Sequence, residues 1–171
     1  MINKELNAKS LSNVNTMVVL AMLASLSVML ELFLGINTGS FKLHFGYLPV
    51  AAAGMLYGTL PGALVGLVAD ILSNLRNFSL AFAALAVLEG AVYGIFLHQR
   101  QTEKKKMLMQ AIVCQLVVSL VIQAGLNTLL LWVLYRSFNP IRFVSNALTF
   151  PVKVYTLYLI MGYRSVFEKH V

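Results

Sequence analysis

Apolar residues run along this chain in six blocks, at residues 14–34, 47–58, 61–75, 79–97, 107–134 and 143–163, and the short stretches between them hold most of the charges. Blocks of this kind predict helices that cross a bilayer, where about 20 residues span about 30 Å of hydrocarbon. The second and third blocks are short for full crossings, which predicts a pair that is tilted, partly re-entrant or shielded by its neighbours. The fifth is 28 residues long, enough to tilt or to project beyond the bilayer. Residues 1–13 are polar and the first block reaches spanning length without a small-residue cleavage site. No secretory signal is therefore expected, and the first helix is expected to belong to the mature fold.

Within FKLHFGYLPVAAAGMLYGTLPGALVGLVAD, residues 41–70, Gly54, Gly58, Gly62 and Gly66 recur every four positions. Apolar side chains gain nothing by leaving lipid for another helix, so membrane helices associate by bringing backbones together over small residues. The ladder predicts such close packing. Proline lacks an amide proton and clashes with the preceding turn, so Thr59, Leu60 and Pro61 are expected to break the ladder between two helices.

Composition agrees with this pattern: 59% of the residues are hydrophobic and 11% are charged, less than half the charge of a typical soluble domain, about 25%. The expected architecture is an all-α membrane protein, a six-transmembrane-helix bundle forming one domain over residues 1–171, with a short cytoplasmic segment at 1–13. Lys4 and Lys9, then Arg100, Lys104, Lys105 and Lys106, then Arg164 and Lys169 fall in three segments that six crossings put on one side. The positive-inside rule makes that side cytoplasmic, with both termini on it. Lys42, Arg76, Arg136 and Arg142 fall in the outer loops or at the outer helix ends, and Lys153 lies inside the last helix.

The single Cys114 sits in an apolar block, which excludes a disulfide framework and a thiol metal site. No GxxxxGK[ST], HExxH or GxSxG is present, and His44, His98 and His170 are scattered. Neither metal nor cofactor is expected in the chain, and ATP binding of the P-loop kind is excluded. Duplicated halves with paired broken helices, the mark of many secondary transporters, are not visible.

Ionisable groups inside the apolar blocks carry the functional signal, because such groups face a bundle interior or a water-filled cavity and mark a ligand pathway. The candidates are Glu31, Asp70, Glu89 and Lys153. Asp70 is near a helix end and six residues before Arg76, which favours a structural pair. Glu31, also near an end, is open to solvation. Glu89 is deeper and divides evenly between a ligand role and a bond across a helix interface beside Gly90. Lys153 continues a stripe begun by Arg142, Asn146 and Thr149 at intervals of four and three, so these polar groups share one helical face. That stripe favours a lined cavity, and with Lys42 and Arg76 on the same side the cavity is expected to be electropositive and its ligand anionic. Phe41, Phe45, Tyr47, Phe78, Trp132, Tyr135 and Phe138 cluster at the outer end, where an interfacial belt explains most of them. Phe78, beside Arg76 and Asn77, is the exception expected to meet ligand.

These residues resemble a family. Six spans in so short a chain, the FGYLPVAAAGMLYGTLPGALVGLVAD block, the first-helix segment AMLASLSVML and the ending IRFVSNALTFPVKVYTLYL are similar to the membrane-embedded substrate-binding subunit, or S component, of energy-coupling factor (ECF) vitamin transporters. The resemblance implies a six-helix bundle that captures a vitamin on the outer side, beneath the first, third and fifth loops. It also implies a transmembrane coupling subunit and two cytoplasmic ATPases as partners, which bind the ATP. In that family the coupling subunit grips an AxxxA spacing on the first helix. Ala21 and Ser25 occupy it here, with Ala24 beside them and Ser in place of the second Ala.

Among S components the chain is most similar to the folate-specific type. Folate carries two carboxylates and a flat pterin, which suit Arg142, Lys153 and Arg76 with an aromatic neighbour. The implied ligand set is Lys42, His44, Arg76, Asn77, Phe78, Arg142, Asn146 and Lys153. Thiamine, a cation, would call for acidic walls instead. The third loop, SNLRNFS, departs from the longer Pro, Gly and Phe rich stretch of folate-type members, which leaves pantothenate, biotin, riboflavin and a pyridoxine-like compound open. The competing classes are an intramembrane enzyme using Glu89 or Asp70, for which no second catalytic group stands at matched depth, and a purely structural subunit, which leaves Lys153 and the outer arginines without a role.

Overall fold

A computed structural model describes residues 13–37, 42–43, 45–75, 79–98, 103–136 and 141–164. The apolar blocks become helices α1 (Val14–Phe33), α2 (Tyr47–Tyr57), α3 (Thr59–Ser73), α4 (Leu80–Leu97), α5 (Lys104–Val117), α6 (Asn127–Tyr135) and α7 (Ile141–Gly162). A π-helical stretch, Val118–Leu126, joins α5 to α6 without a break, so the described chain forms six rods. The sequence expectation of six helices holds. Between α1 and α2 a two-residue antiparallel ribbon, Ile36–Asn37 against Lys42–Leu43, adds a small β element that the apolar pattern did not signal.

The exterior suits lipid. Met17, Met22, Met29, Leu120, Val133, Leu148 and Tyr155 are exposed, and α1, α4 and the α5–α6 rod are each long and apolar enough to cross a membrane. The α2 and α3 helices have 11 and 15 residues, about 16 and 22 Å at 1.5 Å per residue, and are short as expected. They stay inside the bundle, as shown by nine buried residues in α2, including Tyr47, Ala51, Ala53 and Met55.

The glycine ladder packs as predicted, and its partner is α4. A Cβ added to Gly54 would stand 2.7 Å from the Gly94 nitrogen, one on Gly62 2.7 Å from the Gly90 oxygen, and one on Gly66 2.6 Å from the Ala86 oxygen. Each would clash with backbone, which cannot move aside as a flexible side chain can. The break in the ladder is one residue earlier than expected. Gly58, at φ 95° and ψ −166°, ends α2 and precedes α3, a conformation essentially restricted to glycine. Thr59 and Leu60 are already helical. Pro61 therefore sits in the first turn of α3, where its missing amide proton has no intrahelical partner to lose.

At the opposite end from the ribbon, Arg164 donates through Nη1 to the carbonyls of Leu97 and His98 at 3.2 Å each. It caps the last turn of α4, where a cation also complements the helix dipole. His98 Nδ1 lies 3.3 Å from the Met55 carbonyl and ties the same end to α2.

Candidate functional site

A cavity of about 230 Å³ opens among the helices at the ribbon end. Its wall takes Ser27 and Glu31 from the end of α1, Gly46, Tyr47 and Val50 from the start of α2, and Gly66, Ala69 and Asp70 from α3. Phe82, Leu85, Ala86, Glu89 and Tyr93 come from α4, Ile122 and Gln123 from the π-helical stretch, Asn127 from α6, and Ser145, Asn146 and Lys153 from α7. Most of these positions lie in the halves of the helices adjoining the first, third and fifth connections, with Glu89, Tyr93 and Lys153 reaching past the helix midpoints to form the deepest part of the wall. They are remote from Lys104, Lys105 and Lys106 at the start of α5. The positive-inside orientation thus faces the cavity outward.

Lys153 is in the wall, as expected, yet its ammonium is not free. It donates to Gln123 Oε1 at 2.9 Å, lies 5.7 Å from the centre of the Tyr47 ring and is 3% exposed. Tyr47 is held in turn by a 2.5 Å hydrogen bond between its hydroxyl and Thr156. Opposite, Glu89 accepts from the Tyr93 hydroxyl at 3.2 Å and lies close to Gln123 and within Coulombic reach of Lys153. Glu89, Gln123 and Lys153 form one network in which charge is balanced. Below it, Tyr93 reaches Gln115 Oε1 at 3.4 Å and Gln115 donates to Ser119 at 3.3 Å, which closes the floor with satisfied polar groups.

Of the eight ligand residues expected from sequence, Asn146 and Lys153 line the cavity. His44, Arg76, Asn77 and Phe78 lie outside the described residues, as do the side chains of Lys42 and Arg142. Thr149, on the same stripe, is buried and donates to the Ser145 carbonyl of its own helix at 2.9 Å, so its hydroxyl is spent locally. The expected electropositive wall is not what the described residues build. Glu31, Asp70 and Glu89 contribute three carboxylates against the single ammonium of Lys153. Asp70 does accept a structural bond, from Asn74 Nδ2 at 3.0 Å, and still faces the cavity. Tyr47, read from sequence as part of an interfacial belt, is 4% exposed and belongs to the wall, because the short α2 is held inside the bundle. Trp132, 60% exposed, keeps a belt position.

The wall residues that sequence reasoning missed include Gln123 and Asn127. Their signal was present: Gln115, Ser119, Gln123 and Asn127 recur every four residues through an apolar run. On an α-helix of 3.6 residues per turn a stride of four drifts around the axis. The π-helical stretch holds more residues per turn and reverses the drift, so Gln123 and Asn127 both reach the cavity.

On α1, Ala21 and Ser25 are exposed, with Ser25 Oγ donating to the Ala21 carbonyl at 2.8 Å. Ala24, expected beside them, is 3% exposed and packs in the bundle core. One residue is about 100° of helix, which turns Ala24 away from the face shared by the other two.

The family described as "ECF transporter, substrate-specific component" matches residues 15–168. The curated Folate transporter FolT of Clostridium novyi (strain NT) is 26% identical over 156 residues, which cover 86% of this chain and 88% of that protein. The crystal structure of FolT bound with folic acid superposes with a TM-score of 0.77 at 22% identity, over 88% of this chain and 94% of that chain, which establishes a common fold.

Proposed function

We propose that this chain, which belongs to the family of ECF transporter substrate-specific components, captures folate in the cavity at the outer end of its helix bundle. The observation that carries folate, rather than another vitamin, is the similarity to a folate transporter along nearly the whole of both chains. The cavity supports it. Its volume of about 230 Å³ is below the usual range of about 300–1,000 Å³ for drug-sized ligands and suits one flat ring system. The Tyr47 and Phe82 rings stand in its wall. Lys42, Arg76 and Arg142, with His44 and Asn77, keep on chemical grounds the role of receiving the acidic tail, since guanidinium groups pair bidentately with carboxylates, and Phe78 keeps that of an aromatic neighbour to the ligand.

Delivery rests on partners that the family implies: a transmembrane coupling subunit, gripping the exposed small residues Ala21 and Ser25, and two cytoplasmic ATPases that hydrolyse the ATP. The chain binds and releases, and reorientation in the membrane carries the cavity from outside to inside. A second reading is favoured by one specific observation, the three carboxylates of the wall, which suit a cationic vitamin such as thiamine.

Calorimetric titration of the detergent-purified chain with folic acid, thiamine, pantothenate, biotin, riboflavin and pyridoxine tests the proposal. Tight binding of folic acid alone, without partner or ATP, is expected. Tight thiamine binding with no folic acid binding contradicts it and keeps the family.

A further inference from the structure

We propose that Glu89 selects the ligand by accepting hydrogen bonds from the donor edge of a 2-amino-4-oxopteridine ring, which enters the cavity head first with its acidic tail toward the mouth. This inference rests on the folate reading. It begins from an asymmetry among the charges in the wall. The one described cation, Lys153, is covered, at 3% exposure and with its ammonium bonded to Gln123 at 2.9 Å. Glu89 lies deep in the bundle and is only half-buried, so its accessible surface faces the cavity. An entering ligand meets an acceptor there, and a donor edge satisfies it where a carboxylate would be repelled.

The acceptor is fixed in place. The Tyr93 hydroxyl, one helical turn further on, holds Oε1 at 3.2 Å, and Gln123 stands beside the same carboxylate from the facing rod. The next residue, Gly90, packs against the backbone of Gly62 and Ala63, which prevents α4 from rotating the carboxylate away. Lys153 within Coulombic reach balances its charge, so the site does not demand a cation. A carboxylate offers about four lone-pair sites, more than Tyr93 occupies. The N3–H and 2-amino N–H of a pterin point the same way at a spacing that matches two carboxylate oxygens, the fork geometry that makes guanidinium–carboxylate pairs bidentate. Tyr47, Val50, Phe82 and Leu85 supply the apolar surroundings for the ring faces.

The test compares folic acid with its analogue bearing a 2-oxo group in place of the 2-amino group, on the purified full chain and on Glu89→Gln. A site built to hydrogen-bond an N–H rejects an analogue lacking it, so the unaltered chain is expected to prefer folic acid by at least about 100-fold. Glu89→Gln should reduce that preference to about 5-fold or less, because an amide presents one acceptor where the carboxylate presents two. Glu89→Asp, which retains the carboxylate, should keep a preference with weaker affinity. A merely structural glutamate would lower both affinities together and leave their ratio unchanged, which would overturn the proposal. Should Glu89→Gln fail to fold, the two ligands on the unaltered chain still decide: equal affinities overturn the role of Glu89 and leave folate capture standing. No binding of folic acid at all overturns the folate reading and this inference with it.

Discussion

Residues 47–97 and residues 104–162 enclose the same cavity by opposite means. The first region, α2 to α4, is joined through glycines: Gly54 lies against Gly94, Gly62 against Gly90 and Gly66 against Ala86, backbone to backbone. The second, from α5 to α7, meets the cavity through polar side chains, Gln123, Asn127, Asn146 and Lys153. In lipid, where apolar burial gives no net drive for helices to associate, close approach over small residues makes a rigid wall. Polar side chains are tolerated only where they satisfy one another or face water. Glu89 belongs to the glycine-packed region and faces Gln123 and Lys153 of the other, so the two meet at the charged part of the wall.

The largest effect is expected in the glycine seam. Gly62→Leu would drive a side chain into the Gly90 carbonyl and the Gly54 backbone and should destabilise the fold by about 3 kcal/mol, read as a collapsed melting temperature in detergent. Unchanged melting would mean that α3 and α4 do not meet there.

Next is the charge network. Lys153→Met should cost about 2 kcal/mol by leaving Glu89 without its counter-charge, and should abolish folate binding while expression persists. Combined with Glu89→Gln it should be less damaging than the two separate losses together by about 1 kcal/mol. Strict additivity in that double-mutant cycle would separate the two residues.

Tyr47→Phe removes the hydroxyl that bonds Thr156 and keeps the ring beside Lys153. A loss of about 1 kcal/mol in stability is expected, with folate affinity lowered by less than about tenfold. A larger loss of affinity would give the hydroxyl a direct place at the ligand. The smallest effect belongs to Arg164→Ala at the far end. Loss of its bonds to Leu97 and His98 should cost about 0.5 kcal/mol and leave affinity unchanged, which a titration alongside a melting curve will show.

The spans were legible because apolar length is a one-dimensional property, and the glycine ladder was legible because its spacing matches a helical face. The cavity wall was harder to read. Asp70 and Glu31 lie near helix ends, and whether such a group meets bulk water or a cavity depends on helix rotation, which sequence separation does not encode. The four-residue stride of Gln115, Ser119, Gln123 and Asn127 aligns only because the helix winds as a π-helix, a change that no residue in VSLVIQAGL announces. Gly58 outranked Pro61 as the breaking point because a positive φ is demanded at Gly58, while a proline in the first turn costs nothing.

The cavity as the outward-facing capture site is tested most directly with a single thiol. Cys114 is fully buried and gives a silent background, so Asn146→Cys supplies one reactive group in the cavity wall. In right-side-out membrane vesicles a membrane-impermeant maleimide should label that thiol from outside, and folic acid should protect it. Labelling that requires access from the inner face, or that proceeds at the same rate with saturating folic acid, would contradict the account.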